Sequence, residues 1–151
     1  MEQFQRTGRG TGTSSDSTTA LRRERKEPAL DALHHAFYAR YLSVGDKAYA
    51  AGSKTRIAGG DRLVLLIGEL QTNVNTRGFA QYLAHKGRRR AESALRALTT
   101  VGATQTASML SAALAPTVSS SRLNLLDRRF SNSREDLPAL TMRYMERREA
   151  P

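Results

Sequence analysis

The chain of 151 residues contains no cysteine and no tryptophan. Without cysteine there are no disulfides, no thiolate zinc sites and no thiol catalysis. The absence fits a reducing cytoplasm, which is the expected location. Long apolar runs are missing too. The longest, Leu63 to Ile67, spans five residues, whereas a membrane crossing needs about 20. The opening MEQFQRTGRG has no apolar stretch, so no secretory signal is expected there. Histidine is scarce: only His34, His35 and His85 occur. Neighbours on a helix point about 100° apart, so His34 and His35 cannot easily share a metal. Asp46, Asp61 and Glu69 are scattered and form no carboxylate pair for acid–base work. Gly8-Arg9-Gly10-Thr11-Gly12 lacks both the preceding strand and the following Lys-Ser/Thr of a phosphate-binding loop. No Gly-x-Ser-x-Gly elbow appears. No enzyme activity, cofactor or metal is therefore expected.

Arginine is what the chain has in abundance. It supplies twenty of the 24 basic residues, against 14 acidic ones, for a net charge of +10. Guanidinium groups fork onto carboxylates and phosphates better than ammonium groups do. An excess of this sign favours an acidic or polyanionic partner, although an Ala- and Arg-rich composition is also what a GC-rich genome produces. Residues 1–27 are rich in Gly, Ser and Thr and hold six basic and four acidic residues, so they carry only +2. Such a segment buries too little apolar surface to offset its ordering entropy and is predicted to be a disordered tail. The remaining +8 lies on 28–151, which is predicted to be one domain.

Within that domain apolar residues recur at helical spacing. Pro28 suits a helix start, and Leu30, Leu33, Phe37, Tyr41, Val44 and Ala48 follow on one face. Gly52 is the expected end, with a loop over 52–60. Asp61 is the expected cap of a second helix. Its run Leu63 to Ile67 is apolar all round and fits a buried strand or a buried helix. Helical spacing through Glu69, Leu70 and Val74, and the want of a partner strand, favour a central helix. A short helix with Phe79, Tyr82 and Leu83 closes near Gly87. The next, with Ala91, Ala94, Leu95, Leu98 and Val101, closes at Gly102. Ala107, Leu110 and Leu114 mark a helix capped by Thr104 and stopped before Pro116. Leu123, Leu126 and Phe130 mark one entered through Ser119 to Ser121. Ser133 and Asp136 form a box-like entry to Leu137, Leu140 and Tyr144, with Pro138 placing the start near Asp136. The expected fold is an all-α bundle of six to seven helices.

Residues 61–145 resemble a bacterial DNA-mimic protein family, an all-helical domain of unknown function. The resemblance is carried by Asn75, Gly78-Phe79 and Gln81-Tyr82. Downstream it continues through Ala91-x-x-Ala94-Leu95, Val101-Gly102-Ala103 and Ala107 with Leu110 and Ala113. It ends with Leu126-Asp127 to Phe130 and Glu135-Asp136-Leu137. Two positions depart from the family pattern: Thr76-Arg77 stands where Asn-Gly is usual, and His85 where Asn is frequent. The resemblance implies the helical fold. Its best-known member imitates DNA through an acidic surface and binds a transcription regulator. A chain of +10 cannot imitate a polyanion, so that activity does not carry over.

Three segments are candidate sites. Gly78 to Tyr82 places two aromatics three apart on one face, which suits packing in a helix junction. Lys86-Gly87-Arg88-Arg89-Arg90, with Arg77 nearby, puts cations at a helix N-terminus. Each costs roughly 0.3–1 kcal/mol against the helix dipole, so the group is a candidate contact for an acidic protein or for phosphates. Residues 94–111 have the outline of a helix-turn-helix in which Gln105, Thr106 and Ser108 face bases. However, Ser108 and Ser111 stand where that motif buries apolar side chains. The expected function is a non-catalytic interaction module with an acidic protein partner. The alternative is a nucleic-acid binder that adds Arg22, Arg23, Arg25 and Lys26. The oligomeric state is left open, a homodimer included.

Overall fold

A computed structural model describes residues 15–50, 52, 57 and 59–151, with side chains from residue 29 onward. It contains six helices and, among the described residues, no strand. They are α1 (Ser15–Ala50), α2 (Gly59–Lys86), α3 (Arg88–Val101), α4 (Thr104–Ala113), α5 (Ser120–Ser131) and α6 (Leu137–Glu149). The first helix begins at Ser15, upstream of the expected start at Pro28. Residues 1–14 and the side chains up to Pro28, on which the tail was predicted, lie outside the described residues, as does most of the expected 52–60 loop.

The other helices pack around α2. This explains why Val64, Leu65, Leu66, Ile67 and Gly68 are buried in succession. Over Val64–Gly68 the helix is covered on all sides, so this stretch of its sequence shows no period. Gly68 is small for a reason. A Cβ there would stand 2.5 Å from the Tyr41 ring, which lies flat against α2. Phe37, Ile67, Leu70, Phe79, Tyr82, Leu98, Leu110 and Leu126 form the fully buried centre. Each apolar side chain of this size contributes about 1.5–3 kcal/mol on burial.

The expected short helix is not separate. It is the last part of α2, beyond a kink at Gly78, where the backbone leaves the helical region at φ 79° and ψ 171°. Local side-chain bonds accompany the kink. Just before it, Asn73 Nδ2 donates to the Glu69 carbonyl and Thr76 Oγ1 to the Thr72 carbonyl, both at 2.7 Å. Such back-bonds loosen the helical ladder but do not set the kink by themselves, since α3 carries the same bonds at Ser93, Thr99 and Thr100 without one. Phe79 then begins a new turn and packs edge-to-face on Phe130, with ring centroids 5.7 Å apart.

Caps follow the sequence at some ends and not at others. Ser119 caps α5 by accepting from the Arg122 N–H, and Gly102 closes α3 in the left-handed conformation. Asp61 is not an N-cap. The helix begins two residues earlier, and Asp61 Oδ1 accepts from Arg40 Nε of α1 at 2.7 Å. Thr104 is not a cap either, because α4 opens after Ala103 with no side-chain bond from its own first turn. Asp136 is the N-cap of α6, accepting from the Ala139 N–H at 2.9 Å. Ser133, the expected entry, instead accepts from the Glu135 N–H at 3.2 Å.

Candidate interaction surface

Carboxylates remote in sequence complete this helical frame. Asp127 of α5 reaches the kink in α2 and accepts from the Phe79 N–H at 2.7 Å. Glu135, in the α5–α6 connection, accepts from the N–H groups of Gln105 and Thr106 at 3.0 and 2.7 Å. It thereby supplies the cap that α4 lacks. Asp136 caps its own helix and also receives His34 Nε2 of α1 at 2.7 and 2.9 Å from its two oxygens. A helix N-terminus carries unpaired N–H groups and partial positive charge, so a carboxylate there satisfies both needs. Asp127, Glu135 and Asp136, prominent in the family pattern, thus all tie helices together. Gly78, Phe79 and Tyr82 belong to the same junction, while Asn75 and Gln81 are exposed.

The cations singled out from the sequence do not form one free patch. Glu69, whose side chain is 16% exposed, takes Arg90 Nε at 2.9 Å and Lys86 Nζ at 3.6 Å on its two oxygens. Arg88 pairs with Glu92 at 2.9 Å and donates to the Leu114 carbonyl at 3.0 Å. These bonds offset the dipole penalty at the start of α3. Arg77 and Arg89 are exposed with no acidic partner among the described residues. Arg22, Arg23, Arg25 and Lys26 have side chains outside the described residues. Of the candidate base readers in the helix-turn-helix outline, Gln105 and Ser108 are exposed and Thr106 is not. Thr106 is only 1% exposed, and its N–H is taken by Glu135.

Tyr82 lies beside this charge cluster. Its hydroxyl is buried without a hydrogen-bond partner among the described residues. Burial pushes its pKa up to about 12, with Glu69 adding to the rise and Arg90 opposing it. Burial also raises Tyr41, against the effect of a Thr72 hydrogen bond and with a smaller rise from Glu69. A buried hydroxyl with no partner costs desolvation and gains nothing. Tyr82→Phe is therefore expected to stabilise the protein by about 1 kcal/mol at neutral pH in urea denaturation. A raised folded pKa means that tyrosinate is disfavoured in the native state. The associated stability is present below pH 10 and lost as pH rises towards about 12. The Phe variant should lose less stability across that window. A variant less stable than the parent at neutral pH would show that the hydroxyl is bonded.

A different group of arginines gathers where α4, α5 and the α5–α6 connection meet. A cleft of about 870 Å³ is lined there by Gln105, Ser108 and Met109 on α4. Across from them lie Leu125, Arg128, Arg129 and Asn132, with Ser133 and Arg134 at one end. The helices dictate this arrangement. Leu126 and Phe130 turn inward to the core, so Leu125, Arg128 and Arg129 turn outward. Leu125 is 40% exposed. Arg128 and Arg129 sit in the last turn of α5, where the helix dipole favours cations. Arg134 is held at the rim because the next residue, Glu135, is bonded to α4. None of the three arginines has a carboxylate within ion-pair distance among the described residues. They belong to no dense basic run or motif of the sequence. The only linear signal was their place beside the family positions Asp127 and Glu135.

No helix among the described residues is long and apolar enough to cross a membrane, and these residues hold no cluster of three or more His, Cys, Asp or Glu able to bind a metal. A family model described as DMP19-like protein matches residues 55–148. Neither the curated proteins nor the solved structures compared with the chain provide a match.

Proposed function

Because the chain belongs to the DMP19-like protein family yet carries a net charge of +10, we propose that it is a non-catalytic interaction module whose basic face binds an acidic protein partner. The observation that carries this is the cleft between α4 and α5, where Arg128, Arg129 and Arg134 stand around exposed Leu125 with no carboxylate within ion-pair distance among the described residues. An apolar centre with a polar, arginine-rich rim is the usual anatomy of a protein interface. The non-catalytic part is supported by the employment of the acids. Asp127, Glu135 and Asp136 bond helix N-termini, and Glu69 holds two cations. None of these is free to act as a general base.

Nucleic acid is the competing partner. A protein that contacts six to ten phosphates loses about 10³–10⁵ in affinity between about 50 and 200 mM salt. Titration of the full chain with labelled duplex DNA and single-stranded RNA is expected to show only weak binding. None should remain at about 150 mM salt, where long-range charge is screened. Capture from nuclease-treated lysate should recover an acidic protein, and its recovery should fall on combined reversal of Arg128, Arg129 and Arg134 to Glu. Tight nucleic-acid binding with a steep salt slope would replace the proposal with the alternative.

A further inference from the structure

We infer that the cleft between α4 and α5 receives an acidic amphipathic helix, which seats an aliphatic side chain on Met109 and Leu125 and places carboxylates against Arg128, Arg129 and Arg134. This rests on the reading of the protein as a module for acidic partners and names the form that such a partner presents.

Three observations converge. The first is charge. The rim holds three guanidinium groups with no acidic neighbour within ion-pair distance among the described residues. The carboxylates flanking it in sequence, Asp127 and Glu135, are spent on the Phe79 N–H and on the Gln105 and Thr106 N–H groups. The second is the floor. Leu125 is 40% exposed, and the buried Met109 lines the same cleft. Methionine adapts its shape to an inserted side chain. A phosphodiester chain has nothing apolar to place there, whereas a leucine-bearing helix does. The third is the backbone. The two long walls of the cleft are helices, whose N–H and C=O groups are largely bonded internally, and the described residues include no open strand edge. An extended peptide would find few main-chain partners. A helix arrives with its own backbone satisfied and binds through side chains alone.

The dimensions agree. The lining spans residues 104–109 on one side and 125–132 on the other, about 9–12 Å along the helices. A docked helix would present anchors at i, i+3 or i+4, and i+7, over about 10 Å. Gln105, Ser108 and Asn132 remain to bond the partner's polar side chains.

The test uses the full chain and three fluorescein-labelled helical peptides of about 14 residues, long enough for marginal helicity. One carries Leu at i, i+3 or i+4, and i+7 with Glu elsewhere. The second replaces Glu with Lys, and the third replaces Leu with Ser. Anisotropy at about 150 mM salt is expected to show binding of the first peptide alone, with the third at least about tenfold weaker. Arg128→Glu, Arg134→Glu and Leu125→Asp should each weaken the first peptide by about tenfold or more. Arg77→Glu with Arg89→Glu should change it less than about twofold. All of these residues are exposed, and matching thermal melts will show that the variants remain folded.

Absence of binding by the first peptide overturns the inference, as does equal binding of the Ser peptide. Loss through Arg77→Glu and Arg89→Glu, with the cleft variants unaffected, also overturns it while leaving the acidic-partner reading intact. Displacement of the peptide by duplex DNA at lower concentration would count against both.

Discussion

Replacing Gly78 with Ala is expected to cost about 3 kcal/mol of folding stability, measured by chemical denaturation, without changing the helical class of the fold. Two effects add. At φ 79° and ψ 171° the backbone occupies a region essentially restricted to glycine, where strain is about 1–3 kcal/mol. A Cβ would also stand 2.5 Å from Asp127 Oδ2. That carboxylate cannot retreat cheaply, because its other oxygen holds the Phe79 N–H at 2.7 Å. Phe79 in turn is fully buried against Phe130, so movement at the kink disturbs the core. The parts can be separated. Asp127→Ala alone should cost about 1.5–3 kcal/mol, as expected for a hydrogen bond to a charged group. In that background Gly78→Ala should keep its backbone strain but lose its clash. A double-mutant cycle should then show coupling of about 1 kcal/mol or more. A Gly78→Ala variant as stable as the parent would mean that the kink is not held in this conformation.

Glu135→Ala should have the next largest effect, about 2 kcal/mol. It removes both acceptors from the start of α4. Because Thr106 is 1% exposed, water cannot readily replace the bond. Glu135→Gln keeps one acceptor oxygen and should lose about half as much. The same substitution separates two accounts of binding at the cleft. Gln raises the net charge by one, so an affinity governed by overall charge should increase. If Arg134 acts because Glu135 fixes its position across α4, affinity for the acidic peptide should decrease. Unchanged stability in Glu135→Ala would show that α4 finds another cap.

Both predictions concern residues that the sequence marks without explaining. Asp127 and Glu135 belong to the pattern shared with the family, and Gly78-Phe79 is its clearest element. Nothing local indicates that Asp127 serves the chain 48 residues earlier, or that Glu135 caps a helix that starts about 30 residues before it. Capping boxes are legible when donor and acceptor lie within one turn, as for Ser119 and Asp136. They are silent when a distant part of the chain brings the acceptor. Thr104 and Asp61 are the reverse case. Both are good local cap candidates displaced by stronger tertiary partners.

The cations teach the same lesson. Lys86 to Arg90 stand out as a run, yet Glu69, seventeen residues or more away, accepts two of them. Arg128, Arg129 and Arg134 are less dense in the chain but, among the described residues, have no carboxylate within ion-pair distance where two helices and a connection meet. Charge density along a sequence does not measure free charge on a surface, because pairing depends on distances set by packing.

The strongly basic character, the absence of thiol chemistry and the succession of amphipathic helices were determined by the sequence itself. They depend on composition and on a 3.6-residue period, both local properties. Tertiary structure alone decided which arginines are free, how α4 is capped, and that two expected helices join through a kink at Gly78. Each of those depends on a carboxylate carried into place from a distant part of the chain, Glu69 on α2, Glu135 in the α5–α6 connection and Asp127 on α5, and the chain acquires that geometry only when its core closes.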